Sequence, residues 1–168
     1  MTLNPATSRS GAGGGGLFDA YAYVRDEKAN NTASGAFNSG AWRTRDLNTE
    51  VFDSAGFVAL AANQFTLGAG TYYIVGRAPA YNVNFNKARL RNVTDGTTVI
   101  IGSNTWTQNN QNSQLDSWVS GRVTIGAAKA FELQHFCSDS EGTTGFGRVN
   151  NLDGTIEVYA EVWIWREA

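Results

Sequence analysis

Residues 155–168 read TIEVYAEVWIWREA, and this stretch decides the fold class. At the two-residue period of a strand, Ile156, Val158, Ala160, Val162 and Ile164 line one face. Glu157, Tyr159, Glu161, Trp163 and Trp165 line the other. A half-buried strand is apolar on one face and polar on the other. Here the second face turns aromatic as it ends, so it too needs cover: the first face from a second sheet, the second from outside the sandwich.

Working back from this end, the same reading recurs. LFDAYAYVRD (17–26) alternates, AWRTRD (41–46) reads as a polar edge or surface strand, and FVAL (57–60), QFTL (64–67) and TYYIVGRAPAY (71–81) follow. Pro79 lacks a backbone N–H, which places that end near a sheet margin. In KARLRNVTDGTTVIIG (87–102), Asp95-Gly96 between two strand-like runs signals a hairpin. SWVSGRVTIG (117–126) and AFELQHFCSD (130–139) are two further strands. NTWTQNNQNSQ (104–114) reads as a polar loop, and SEGTTGFGRVNNLDG (140–154) as a long Gly-rich one. About eight to ten strands with turn signals every ~8–12 residues imply an all-β antiparallel sandwich.

At 168 residues the chain is read as one domain with a sound core. Only 17% of residues are charged and the formal net charge is -2, which argues against a nucleic-acid partner or a polybasic membrane contact. The single Cys137 excludes an internal disulfide framework. The opening MTLNPATSRSGAGGGGLFDAYAYV has no apolar run behind basic residues and does not read as a secretion signal. No run approaches the ~20 apolar residues of a spanning helix. Residues 1–16 are rich in glycine and cannot build a core, so they are expected to act as an anchoring arm, with Met1, Leu3, Pro5 and Arg9 as its contacts, while 17–168 form the folded knob.

FTLGAGTYYIVGRA (65–78), KARLRNVTDGTTVIIGS (87–103), GRVTIGAAKAFELQHF (121–136) and EVYAEVWIW (157–165) resemble the C1q/TNF-type jelly roll, in the version found on tailed-phage virion proteins. The resemblance spans residues 17–167. It implies a trimer about a threefold axis, with Tyr159, Trp163 and Trp165 packed against their copies. Animal C1q-type proteins usually carry a secretion signal and a Gly-X-Y stalk, and this chain has neither pattern. The implied setting is therefore a virion assembled in the host cytoplasm: a trimeric capsid decoration or short head fibre, docked on a virion protein through its arm and adhesive to host or environmental surfaces.

No catalytic site stands out. His135 is the only histidine and shares a strand face with Phe131, Leu133 and Cys137, which reads as a satisfied, half-buried histidine beside a small core thiol. Asp139, Glu141 and Asp153 lie in or beside the Gly-rich loop but lack the spacing of a Ca²⁺ loop. No cofactor or metal is expected. Asn30-Asn31-Thr32 and Asn92-Val93-Thr94 match glycosylation acceptors, but without a secretion signal they are read as chance matches. Trp106, with Gln108, Asn109 and Asn110, pairs an aromatic ring with amides and is a candidate glycan contact. That motif supports the alternative of a receptor-binding tail-fibre tip or lectin. A small polysaccharide hydrolase is a third reading, and no pair of carboxylates is marked out for it.

Overall fold

A computed structural model describes residues 16–109 and 111–168. The proposed arm contacts Met1, Leu3, Pro5 and Arg9, and the amide of Asn110, lie outside the described residues. The described chain contains eleven strands: β1 (Phe18–Lys28), β2 (Arg43–Thr44), β3 (Thr49–Asp53), β4 (Val58–Ala61), β5 (Gln64–Leu67), β6 (Gly70–Tyr81), β7 (Asn84–Asn92), β8 (Thr97–Thr107), β9 (Gln114–Ile125), β10 (Lys129–Cys137) and β11 (Glu157–Glu167).

All pairings are antiparallel and form two sheets. The first has the order β3-β1-β11-β6-β9; the second has β4-β5-β10-β7-β8, with β2 added beside β10. The inward residues of the two sheets fill one core: Ala22 and Val24 from β1, Tyr72 and Ile74 from β6, Leu90 from β7, Phe131 and Leu133 from β10, and Ala160, Val162 and Ile164 from β11. Burial of such side chains, at ~25 cal/mol per Å², is the main force holding the sheets together.

The Asp95-Gly96 hairpin joins β7 to β8 as expected. Asn92 Nδ2 donates to Asp95 Oδ2 at 2.9 Å, Asp95 N donates to Asn92 Oδ1 at 3.0 Å, and Gly96 takes φ 68°. Pro79 lies in β6 beyond Arg77, the last β6 residue paired with β11, so its missing N–H breaks no bond on that side.

Three sequence expectations need correction. The 104–114 stretch is not one loop, because β8 continues to Thr107 and β9 starts at Gln114. The pairing of β7 with β8 runs on to Asn84↔Thr107 and holds these residues extended. The AWRTRD stretch forms only a two-residue strand, and Arg45 just after it is fully buried. Its guanidinium donates from Nη1 to Pro79 O at 2.7 Å and from Nη2 to Phe146 O at 2.6 Å, and lies 4.1 Å from the Phe146 ring centre. It thereby ties the long 138–156 connection to the sandwich.

The third correction concerns the start of β11. Ile156 is 44% exposed, whereas Glu157 is buried on what was taken as the outward face. Glu157 accepts backbone N–H groups from Asn31 at 3.3 Å, Asn150 at 3.1 Å and Asn151 at 2.8 Å. Two loops fold over this end of the strand and reverse its inside and outside.

Candidate functional site

The outward face of the first sheet is built by alternate residues of adjacent strands. Register places Tyr21 beside Trp165 and Trp165 beside Tyr73; one row on, Tyr23 is beside Trp163 and Trp163 beside Val75. The rings interlock. Tyr23 stacks on Trp163 at 5.4 Å between centroids and 2° between planes, and Trp118 of β9 stacks at 6.2 Å and 11°. Trp165 packs against Tyr21 at 5.3 Å and Tyr73 at 6.3 Å, with Phe18 at 6.4 Å. Trp118 is still 43% exposed; at the other end of the layer Tyr73, beside Trp165, and Phe52, 5.9 Å from Tyr21, are exposed too. An aromatic layer of this extent, left open on its outer side by the described residues, is unusual for a surface meant only for water.

The next row is ionic. Arg77 bridges Asp116, at 2.8 Å from Nε, and Glu161, which also accepts from the Tyr23 hydroxyl. Arg25 pairs with Glu27 at 2.7 Å. Burial acts to lower the Arg77 guanidinium, but Asp116 and Glu161 outweigh it and leave the pKa raised. Burial, then Glu161, raises the Tyr23 phenol. The face thus joins an aromatic half to an ion-paired half, a combination that gives both association energy and a fixed register.

Of the residues assigned to a threefold contact from sequence, Trp163 and Trp165 lie in this layer. Tyr159 does not. It is 3% exposed, donates its hydroxyl to Thr32 O at 2.9 Å and lies beneath Gly147. The 30–35 and 141–157 segments that bury Glu157 also remove Tyr159 from the open surface, and burial pushes its phenol up to about 12. Tyr21, Tyr23, Tyr73 and Trp118 take its place. Their alternation was visible in AYAYVR, TYYIV and SWVS, but only the strand order brings them together.

The other candidate positions separate. Trp106 is 46% exposed and donates its indole N–H to Asn84 Oδ1. Asn109 donates to Asp139 at 3.1 Å, and Gln108 is exposed. The indole donor is therefore already used within the chain, and the ring rather than a polar fork faces outward. His135 and Cys137 are both fully buried. His135 Nε2 meets Asn86 Oδ1 at 3.0 Å, and burial, with Arg45 nearby, holds its pKa well below 6.5. Burial pushes the Cys137 thiol up to about 12, so it is not a thiolate nucleophile at neutral pH. The loop carboxylates serve local turns: Glu141 accepts from the N–H groups of Thr143 and Thr144, and Asp153 from those of Thr155.

No family model and no curated protein sequence matches this chain. Among solved structures, the globular domain of zebrafish complement 1qA superposes with a TM-score of 0.54 at 16% identity, covering 87% of this chain and 95% of that one. Murine APRIL at pH 8.0 superposes with a TM-score of 0.54 at 6% identity, covering 87% and 98%. The fold is the C1q/TNF-like jelly roll. At these identities the likeness is one of backbone path, so the aromatic face of this C1q/TNF-like sandwich must be judged on its own chemistry.

Proposed function

We propose that this chain is a non-enzymatic structural protein of a tailed-phage particle: a trimeric capsid decoration or short head fibre, attached through residues 1–16. The observation that supports it best is the open Tyr23–Trp163–Trp118 stack on the β11 sheet. Three copies meeting on this face would cover those rings, and obligate homo-oligomer interfaces are apolar in this way. The particle setting rests on the sequence resemblance and on an arm that has no core of its own. The inaccessibility of His135 and Cys137 fits a role without catalysis.

Removing residues 2–16 tests the attachment. The truncated chain should sediment as the same oligomer as the full chain yet fail to join particles. Unchanged particle occupancy would refute the arm.

A second reading, recognition of surface glycans near 104–114, draws on the exposed rings of Trp106 and its register partner Phe85. Glycan binding lost in Trp106→Ala would support that reading; no binding to a glycan array would leave attachment as the only role.

A further inference from the structure

The solvent face of the second sheet carries a different feature. Along β7, Phe85, Lys87, Arg89 and Arg91 alternate outward, while Asn86, Ala88 and Leu90 turn inward. None of these three cations enters an ion pair among the described residues. The carboxylate facing them from β10, Glu132, is already held by Thr44 at 2.8 Å, Gln64 at 2.8 Å and Gln134 at 2.6 Å. Arg89 is also occupied: it donates to Gln134 and Thr98 and covers the Trp42 ring at 4.1 Å. Among the described residues, Lys87 has no such partner.

Beside Lys87 is a cleft of about 600 Å³ lined by Trp42, Phe85, Asn104, Phe136 and Ser138. Its volume falls within the ~300–1,000 Å³ typical of small-molecule sites. Trp42 meets Phe136 edge-on at 5.7 Å, which fixes both rings, and Phe85 is 66% exposed across the cleft. The rings offer flat apolar walls, and Asn104 offers a neutral amide. The Ser138 oxygen, which already accepts from Phe85 N at 3.1 Å, keeps room for one further hydrogen bond. Lys87 offers a positive charge without an ion-pair partner among the described residues.

We propose that this cleft binds an acidic saccharide, a pyranose bearing a carboxylate. The C–H face of the sugar packs on the Phe85 and Phe136 rings, its hydroxyls meet Asn104 and Ser138, and its carboxylate pairs with Lys87. The cleft lies on the sheet opposite the aromatic assembly face. The site therefore extends the attachment role without depending on trimerisation; it shares Phe85 with the reading centred on Trp106 but is not lined by Trp106.

An NMR titration of the full chain with trigalacturonate, neutral galactotriose and inorganic sulfate tests this. Trigalacturonate should shift the Trp42 indole and Asn104 side-chain signals saturably. Lys87→Gln should weaken binding roughly tenfold or more, as expected for a lost charged hydrogen bond. Phe136→Ala should weaken it too, Trp106→Ala should leave it unchanged, and galactotriose should bind at least as weakly as trigalacturonate binds Lys87→Gln. Unchanged melting temperatures for the variants would show that the fold is intact, as the outward position of both side chains leads one to expect. The proposal is overturned if trigalacturonate causes no shift up to about 10 mM. It is also overturned if sulfate binds equally well, or if Trp106→Ala abolishes binding while Lys87→Gln does not.

Discussion

His135 is held neutral inside the sandwich, between Asn86 and the Arg45 guanidinium, with Phe37 4.7 Å from its ring centre. In the unfolded chain it titrates near 6.5; in the native state its pKa lies well below that. Between the two values the unfolded chain binds the extra proton, so stability falls as pH drops below about 6.5, by at most ~1.4 kcal/mol per pH unit. Buried Asp26, whose pKa is raised, acts in the opposite sense as pH falls, so the imidazole is isolated by comparison with His135→Gln. Melting temperatures measured from pH 7.5 to 5 should decline in the parent and decline less in the variant. Parallel profiles would show that the imidazole does not titrate on unfolding. The place of His135 between Leu133 and Cys137 on an alternating strand made a satisfied, half-buried imidazole legible, but not its complete burial. The burial of Arg45 was not legible, since its partners are carbonyls more than thirty residues away.

At the scale of the element, β8 must pass close to the backbone of the opposite sheet. A Cβ at Gly102 would sit 2.7 Å from Trp118 O and 2.8 Å from Ala88 O, both main-chain atoms that cannot swing aside. Gly102→Ala should therefore cost about 2 kcal/mol and lower the melting temperature by roughly 4–8 °C. A change below one degree would mean that the strands can separate without loss. Gly147 is constrained differently: at φ 136° it lies over the Tyr159 ring, where a Cβ would come within 2.8 Å. Alternation and turn residues made β6, β7, β10 and the Asp95-Gly96 hairpin readable. The short β2 and the inversion at the start of β11 were not readable, because loops distant in sequence decide which face they cover.

At the scale of the whole molecule, the open rings on the β11 sheet bear on association. Covering the exposed remainder of a few aromatic side chains per subunit, at ~25 cal/mol per Å², contributes on the order of several kcal/mol before ordering costs. Tyr73 is exposed and lies beside Arg122 in the register. Tyr73→Lys would set a second cation there and bury it in any threefold contact while touching little of the core. Sedimentation should show the parent as a trimer at micromolar concentration and this variant as a folded monomer. A parent that sediments as a single subunit would remove the basis for the assembly.

By itself, the sequence determined the class of fold, the positions of most strands and the inward row of the last strand from Ala160 to Ile164, because alternation and turn chemistry are local properties of the chain. It also marked Trp163 and Trp165 as surface aromatics. Only the tertiary structure decided that Tyr159 belongs to the interior and that Tyr23 and Trp118 complete the stack. The same holds for the cleft, where Trp42, Lys87 and Phe136 come together from three separate stretches. The physical reason is common to all three: a face is created by strand order and by the loops that close over it, and neither is encoded within reach of a single strand.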